Sequence, residues 1–339
     1  MAFKKLPIRV LHYGLGPIGQ AVVRQVAGRD GLKIVGAVDI DPAKAGRDLG
    51  DVAGLGRPLK IKVLADAKKA IRNGKPDVVV LCTSSSLKKV WPQIEGILKL
   101  KLPIVSTTEE LAYPVGANLK IASRIHDLAK KKKVAVLGTG VNPGFVMDAL
   151  PIALTAICER VESIRIDRIQ DARIRRLPFQ QKIGSGLTRE QFQKKVDEGT
   201  VRHVGLTESV SMIADAIGWK LDRITDEIQP KIAQQTVTSE FLAVDPGYVC
   251  GIVQDGIGYR DGRPVIHLHM EAYLGSPETY DAVTIEGSPR IQQKVAGGFH
   301  GDIATASITV NSIPKVVLGT PGLHTMRSLP LPGFFGGKL

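Results

Sequence analysis

Up to Gly140 the chain alternates short apolar runs rich in Val and Ile with stretches where apolar residues recur every three or four positions. The runs predict strands over residues 9–13, 33–39, 60–64, 77–82, 103–106 and 134–137. The spaced pattern predicts helices over 18–26, 42–49, 66–72, 87–98 and 115–131. Strands apolar on both faces and separated by helices are buried parallel strands, so this part reads as a Rossmann doubly wound sheet. After Val141-Asn142-Pro143-Gly144 the period changes to two. The segments VESIRIDRIQDARI, DRITDEIQPKIAQQ, YVCGIVQDGIGYR, RPVIHLHMEAYL and YDAVTIEG alternate apolar and polar residues, as antiparallel strands with one wet face do. Asp261-Gly262 is a hairpin signal between two of them. Helices are expected at 189–198, where Thr188 and Gln191 have capping-box spacing, at 206–217 and at 302–318. The expected fold is α/β: a Rossmann doubly wound parallel sheet in residues 1–145, and an α+β second domain with an open, largely antiparallel sheet in 146–300. The helix 302–318 is expected to pack back on the first domain, and the Pro-rich end SLPLPGFFGGKL to lie extended on the surface or on a partner.

Composition narrows the class. A chain of 339 residues, 43% hydrophobic, can bury two cores. No apolar stretch approaches the roughly 18 residues of a membrane span, and MAFKKLPIRV shows no leader pattern, so no membrane role is expected. Cys82, Cys158 and Cys250 are odd in number and scattered, which suits a reduced, cytoplasmic chain. The net charge of +13 raises nucleic acid as a partner. Its one dense run, Lys130 to Lys133, falls where a helix ends and complements the helix dipole, with no interleaved aromatics to stack bases. No nucleic-acid partner is expected.

The strongest chemical signal is Gly14-Leu15-Gly16-Pro17-Ile18-Gly19, between the first strand and first helix, with Asp39 ending the second strand. Gly14 makes the tight turn, Gly16 admits a pyrophosphate, and Gly19 lets helix and strand approach. Asp39 would hydrogen-bond the adenosine ribose and repel a 2′-phosphate, which favours NAD over NADP. Lys44 and Arg47 soften that preference, so dual use is open. Ligands of such sheets bind beyond the carboxyl ends of the strands, where two loops qualify. Cys82-Thr83-Ser84-Ser85-Ser86 brings small residues, Thr83 and Ser84 among them, close to a cofactor. In Ser106-Thr107-Thr108-Glu109-Glu110, helix capping from Thr107 explains Glu110 but leaves Glu109 unassigned, and a carboxylate there is a natural general base. Asn142 is placed to hydrogen-bond a nicotinamide carboxamide and Phe145 to wall a substrate pocket, although Pro-Gly would make an interdomain turn there in any case. Further on, Arg168, Gln170, Asp171, Arg173, Arg175, Arg176 and Lys182 precede the loop Gly184-Ser185-Gly186. An arginine of this group, Arg168 or Arg176 first, would bind a substrate carboxylate, while Phe145 and Leu187 would contact an apolar substrate. A solvent face is the commoner role for such charges. His267 and His269 share one strand face, but no third ligand is evident nearby, so no metal is expected.

GLGPIG, STTEEL, GVNPGFVMD, DARIRRLPFQQKIGSGLT and GGFHGDIATASITVNSIPKVVLGTPGL together resemble the 2,4-diaminopentanoate dehydrogenases and the related native amine dehydrogenases, within the dihydrodipicolinate-reductase-like superfamily. The resemblance spans nearly the whole chain. It implies NAD(P)-dependent oxidative deamination of an amine or 2,4-diamino acid to a ketone plus ammonia, reversible as reductive amination. It also implies a homodimer whose second domain carries substrate and dimer contacts. Glu109 matches the family's catalytic glutamate, and Arg168 and Asn142 match residues lining the site. At Gln170 many relatives carry a smaller polar residue. Two other readings stand beside this one: a superfamily reductase of a cyclic imine or aldehyde, and a non-catalytic NAD-sensing protein. The former would want a Lys- or His-rich acid-binding motif where this chain has Thr-Thr-Glu-Glu.

Overall fold

The computed structural model describes residues 7–336; the first six residues and the last three of the Pro-rich tail lie outside them. The chain divides into two compact units, Met1–Phe145 with His300–Leu339, and Val146–Phe299.

The first unit opens with β1 (Ile8–Tyr13), α1 (Pro17–Ala27) and β2 (Leu32–Val38), followed by α2 (Leu49–Val52), β3 (Val63–Leu64) and α3 (Ala67–Gly74). Then come β4 (Val78–Leu81), α4 (Leu87–Lys99), β5 (Ile104–Ser106), α5 (Glu109–Ala112), α6 (Leu119–Lys132) and β6 (Ala135–Gly138). The expected helix over 42–49 is instead a run of turns ahead of the short α2. Asp48 explains the difference: its carboxylate accepts the amides of Gly50, Leu59 and Ile61 at 2.7, 2.8 and 3.1 Å, gathering a loop rather than sitting in a helix. The strands are buried on both faces; Leu11, Val79, Leu81, Ile104 and Val136 form one core with Val90, Ile94 and Ile97 of α4 and Ile125 of α6.

The second unit runs through α7 (Ala149–Thr155), β7 (Arg160–Asp171), α8 (Leu177–Lys182), α9 (Arg189–Asp197) and α10 (Leu206–Ala216). It continues with β8 (Arg223–Ile232), β9 (Val237–Thr238), β10 (Ala243–Val244), β11 (Val249–Arg260), β12 (Arg263–Tyr273), β13 (Tyr280–Ser288) and β14 (Ile291–Ala296). Thr188 and Gln191 form the expected capping box on α9. Six strands make a sheet in the order β14-β13-β7-β12-β11-β8. Its pairs are antiparallel except β7 with β12, which run parallel, so the sheet is mixed. Asp261 and Gly262 turn the β11–β12 hairpin with φ of 51° and 71°, the left-handed values such a two-residue turn requires. Helix α10 covers one face: Gly256 and Gly258 of β11 lie against Leu206 and Val210, where a Cβ would come within 3.0 and 2.9 Å.

The chain then re-enters the first unit through α11 (Gly301–Val317) and β15 (Gly322–His324). Gln25 and Arg29 of the α1 region donate to Ser307 and Asn311 of α11, each at 3.0 Å. β15 pairs parallel with β6 and makes the first sheet seven-stranded, in the order β15-β6-β5-β4-β1-β2-β3. Three residues between Pro321 and Thr325 carry no periodic signal, so this seventh strand escapes the sequence reading. The tail lies on its own chain: Arg29 donates to the Phe335 carbonyl and its guanidinium stacks 4.2 Å from the Phe334 ring.

Candidate active site

The glycine loop is built around an unfilled approach. Gly14 has φ of 92°, and a Cβ on it would sit 2.4 Å from the Cys82 carbonyl. A Cβ on Gly19 would lie 2.0 Å from the Gly14 carbonyl, so the third glycine does serve close packing. Gly16 differs, because a Cβ there would meet no protein atom within 4 Å. It caps α1 without a side-chain hydrogen bond, Pro17 occupies the first turn, and that turn holds no acid. An 11-residue helix thus presents its N-terminal amides and the positive end of its dipole to a glycine-only surface, which fits a pyrophosphate. Asp39 stands at the end of β2. Its Oδ2 accepts the Leu15 amide at 2.7 Å and its Oδ1 the Asp41 amide at 2.9 Å, so the carboxylate is fixed beside the loop. Lys44 lies 3.7 Å from Asp39 and 3.0 Å from Asp41, close enough to offset their charge.

The two strand-end loops separate by role. Cys82 is inert, its thiol pushed up to about 11 by burial. Thr83 donates to Gln93 at 2.6 Å, and Ser84 Oγ accepts the Ser86 amide at 3.2 Å. After β5, buried Ser106 donates to the Leu81 carbonyl at 3.0 Å and accepts the Thr108 amide at 3.2 Å, fixing the turn into α5. The N-cap is Thr108, not Thr107. Glu110 caps a different helix: its Oε2 accepts the Leu87 amide, at the start of α4, at 2.7 Å. One of the two adjacent acids is therefore committed to a structural bond. Half-buried Glu109 opens α5, which is pinned to β6 at Gly138, where a Cβ would lie 2.5 Å from the Leu111 backbone.

Asn142 is buried at the end of the segment following β6, and Thr305 of α11 accepts the Val141 amide at 3.3 Å, holding that segment in place. Gly144 has φ of 129° with the Gly140 amide 2.4 Å from where a Cβ would stand, so only glycine closes this turn. Phe145, half-buried, is the last residue of the stretch.

In the second unit the basic group does not behave as a row of equals. Arg168, 2% exposed, donates from Nη1 to Asp281 at 2.7 Å and from Nη2 to the Phe299 carbonyl at 3.1 Å. Burial pushes Arg168 down and Asp281 up, and their pairing opposes both. The sequence expects Arg168 to grip a substrate carboxylate; here one donor of each terminal nitrogen is engaged within the core. Gln170 is a connector: Nε2 donates to the same Phe299 carbonyl at 3.2 Å and Oε1 accepts from Arg175 Nη1 at 2.9 Å. Arg175, which the sequence leaves among solvent-face charges, is buried and stacks 4.0 Å over Phe179. Arg176 caps α8, and Leu187 follows the Gly184 turn, half-buried.

His203 is the residue the sequence reading misses. Burial, with Lys182, Arg168, Arg175 and Arg202 adding to it, holds its imidazole neutral well below the usual range. Its Nδ1 has no hydrogen-bond partner, while its amide donates to Gln254 at 2.8 Å. A lone histidine in RHVG carries no periodic or motif signal; only the fold surrounds it with four cations. Asp281 and Asp226 are the carboxylates tied to that group, through Arg168 and, at 3.5 Å, Arg202.

Comparison with known proteins follows the same division. Residues 8–137 match the family of the dihydrodipicolinate reductase N-terminus, and residues 145–338 that of the 2,4-diaminopentanoate dehydrogenase C-terminal domain. The 2,4-diaminopentanoate dehydrogenase of Acetoanaerobium sticklandii is 36% identical over 332 residues, covering 96% of this chain and 94% of its own. An amine dehydrogenase of Streptomyces virginiae is 24% identical, covering 96% of each chain. The structure of an amine dehydrogenase from Mycobacterium smegmatis superposes with a TM-score of 0.87 at 25% identity, over 97% of this chain and 98% of that one.

Proposed function

Because the chain belongs to the 2,4-diaminopentanoate dehydrogenase family, we propose that it oxidises a carboxylate-bearing 2,4-diamino acid at an amine carbon, with Glu109 as the general base. As a family member it is an NAD(P)-dependent oxidoreductase acting on amines. Bound NAD or NADP supplies the hydride acceptor. Gly14, Gly16, Pro17, Ile18 and Gly19 would hold its pyrophosphate and Asp39 its ribose, with Thr83, Ser84 and Asn142 as the residues that would contact the nicotinamide end. An ammonium has no lone pair to push, so Glu109 first takes one of its protons. The C–H bond then breaks with both electrons leaving as hydride, and nitrogen's lone pair forms the iminium. Glu109 passes that proton to solvent and, again a carboxylate, takes a proton from the water that adds to that carbon. The tetrahedral carbinolamine collapses with loss of ammonia, leaving the ketone. A carboxylate beside the iminium also stabilises its charge, in either direction of the reaction.

The observation that carries this assignment is the position of the two acids: the Glu110 carboxylate caps α4 at the Leu87 amide, while half-buried Glu109 stands at the first turn of α5, directly after the carboxyl end of β5, where ligands of such sheets bind. The substrate carboxylate is assigned to Arg175, Arg176 and Lys182, with Arg168 and Gln170 positioning Arg175 and with Phe145 and Leu187 meeting apolar carbon. A homodimer formed through the second unit, in the cytoplasm, completes the proposal; the three cysteines are unpaired. Glu109→Gln is expected to lower kcat by about 10²- to 10⁴-fold while NAD(P) affinity stays within a few-fold. Turnover would be followed as reduced cofactor with 2,4-diaminopentanoate and with amines lacking the carboxylate. Near-normal turnover in Glu109→Gln would remove the base. Equal kcat/KM on both substrate types, unaltered by Arg176→Ala, would remove the carboxylate.

A further inference from the structure

The face of the second sheet opposite α10 carries a cluster that the reaction does not use. His267 and His269 project from β12 onto this face, and Asp255 lies across from His269 on β11. Asp255 Oδ1 is 2.6 Å from His267 Nε2 and 2.8 Å from His269 Nδ1, and the three ligand atoms lie within 4.8 Å of one another. The hairpin register supplies the third group that sequence spacing hides, twelve residues before His267. We propose that Asp255, His267 and His269 form a binding site for a borderline divalent cation of the zinc class, separate from the dehydrogenase chemistry.

Three features point to a cation. Two imidazole nitrogens and one carboxylate oxygen are a donor set suited to Zn²⁺ or Co²⁺, and the register already gathers the three atoms within 4.8 Å. His269 has a carboxylate behind it: Nε2 lies 3.2 Å from Glu271 Oε1, so when a metal replaces the Nδ1 proton now given to Asp255, Glu271 holds the ring proton on Nε2. Glu271 is itself held by Lys231 at 3.1 Å. The surroundings are also acidic. Glu227 and Asp167 occupy the register positions flanking Asp255 and His269, so Glu227, Asp255, Asp167 and Glu271 gather around the histidines, with Arg165 and Lys231 among the cations near them. The three side chains are 18–30% exposed, which leaves a path for the ion and positions for water.

Arg165 supplies the sharpest test. Its Nη1 lies 2.8 Å from His267 Nδ1; a guanidinium only donates, so Nδ1 accepts and Nε2 carries the proton now given to Asp255. A metal on Nε2 moves the ring proton to Nδ1, opposite the Arg165 donor, and Arg165 must withdraw to Asp167, which it already grips at 2.6 and 3.1 Å. Arg165 therefore competes with the ion.

The experiment is calorimetric titration of the chelator-stripped full-length protein with Zn²⁺, and spectroscopic titration with Co²⁺. Wild type is expected to take one ion per chain at this site, with Co²⁺ absorption characteristic of nitrogen and oxygen ligands. His267→Gln and His269→Gln should abolish that band. Glu271→Gln should weaken binding by about 10-fold or more, as loss of a carboxylate behind a ligating imidazole does. Arg165→Gln should strengthen it. Circular dichroism and Tm of the stripped variants show that each is folded. Absence of binding to wild type, a Co²⁺ band that survives loss of both histidines, or weaker binding in Arg165→Gln would overturn the proposal.

Discussion

The two sheets distribute chemistry in opposite ways. The parallel sheet of the first unit packs a largely apolar core, and the charged residues of its strands, Arg9 and Lys33, lie at partly or fully exposed positions. The residues proposed for cofactor and catalysis, Gly16, Asp39 and Glu109, stand in the turns at the strand ends. The mixed sheet of the second unit is covered by α10 on one side only, and every second residue of β7, β11 and β12 is free to be polar. Polar groups lie along its strands, in pairs and clusters assembled across the register: Arg168 with Asp281, buried on the face that α10 covers, and Asp255 with His267 and His269 on the other. Function by turns is local in sequence. Function by register is not.

That contrast can be broken most forcefully at the buried pair. Asp281→Asn keeps the shape but strands the Arg168 guanidinium in the core, and is expected to lower unfolding free energy by about 3–5 kcal/mol in urea titration. Arg168→Met combined with Asp281→Leu should recover most of the loss. A cost of under about 1 kcal/mol for Asp281→Asn would return Arg168 to the set of carboxylate readers.

Acid stability sets one buried histidine of each sheet region against the other. Burial holds His12 of β1 down at about 3, from 6.5, and His203 is also depressed. Unfolded histidine takes up a proton below about pH 6.5 that neither folded ring accepts, so stability is intact above that pH and declines as pH falls. Each ring contributes a slope of about 1.4 kcal/mol per pH unit. His12→Leu should remove that slope between about pH 6 and 4, and His203→Gln a similar amount; denaturant titrations across this range measure both. A slope unchanged by His12→Leu would show that this ring is protonated in the folded core.

A smaller effect is expected at Asp39. Asp39→Ala removes the charge opposing a 2′-phosphate and leaves Lys44 near it, so relative kcat/KM should move towards NADP by about 10-fold, near 1.4 kcal/mol. An unchanged ratio would take Asp39 out of the ribose site. Smallest is Glu110→Gln, where the loss of the charged cap on α4 should cost about 1 kcal/mol of stability while kcat stays near wild type. If Glu110→Gln were the inactive variant, the two acids would exchange roles.

How far the chain could be read without coordinates follows from the same contrast. The glycine loop, Asp39, the capping box of α9 and the Asp261-Gly262 hairpin are legible because each depends on residues within a few positions of one another. The paired acids after β5 were half legible. Spacing marked Glu110 as a cap, yet the helix it caps begins 23 residues earlier, at Leu87. In 168–182 composition announced a basic group but could not rank its members, since Arg168 is fixed by Asp281, 113 residues away, and Arg175 is buried by stacking on Phe179.

Sequence alone determined the fold class, the cofactor loop and the family, because hydrophobic period and glycine chemistry act over short spans and survive without knowledge of strand pairing. Tertiary structure alone decided which charges are buried, which are paired and which remain to bind. Those outcomes depend on desolvation and on register between strands distant in the chain: the partnering of Arg168, the neutral His203 among four cations, and the third ligand atom beside His267 and His269.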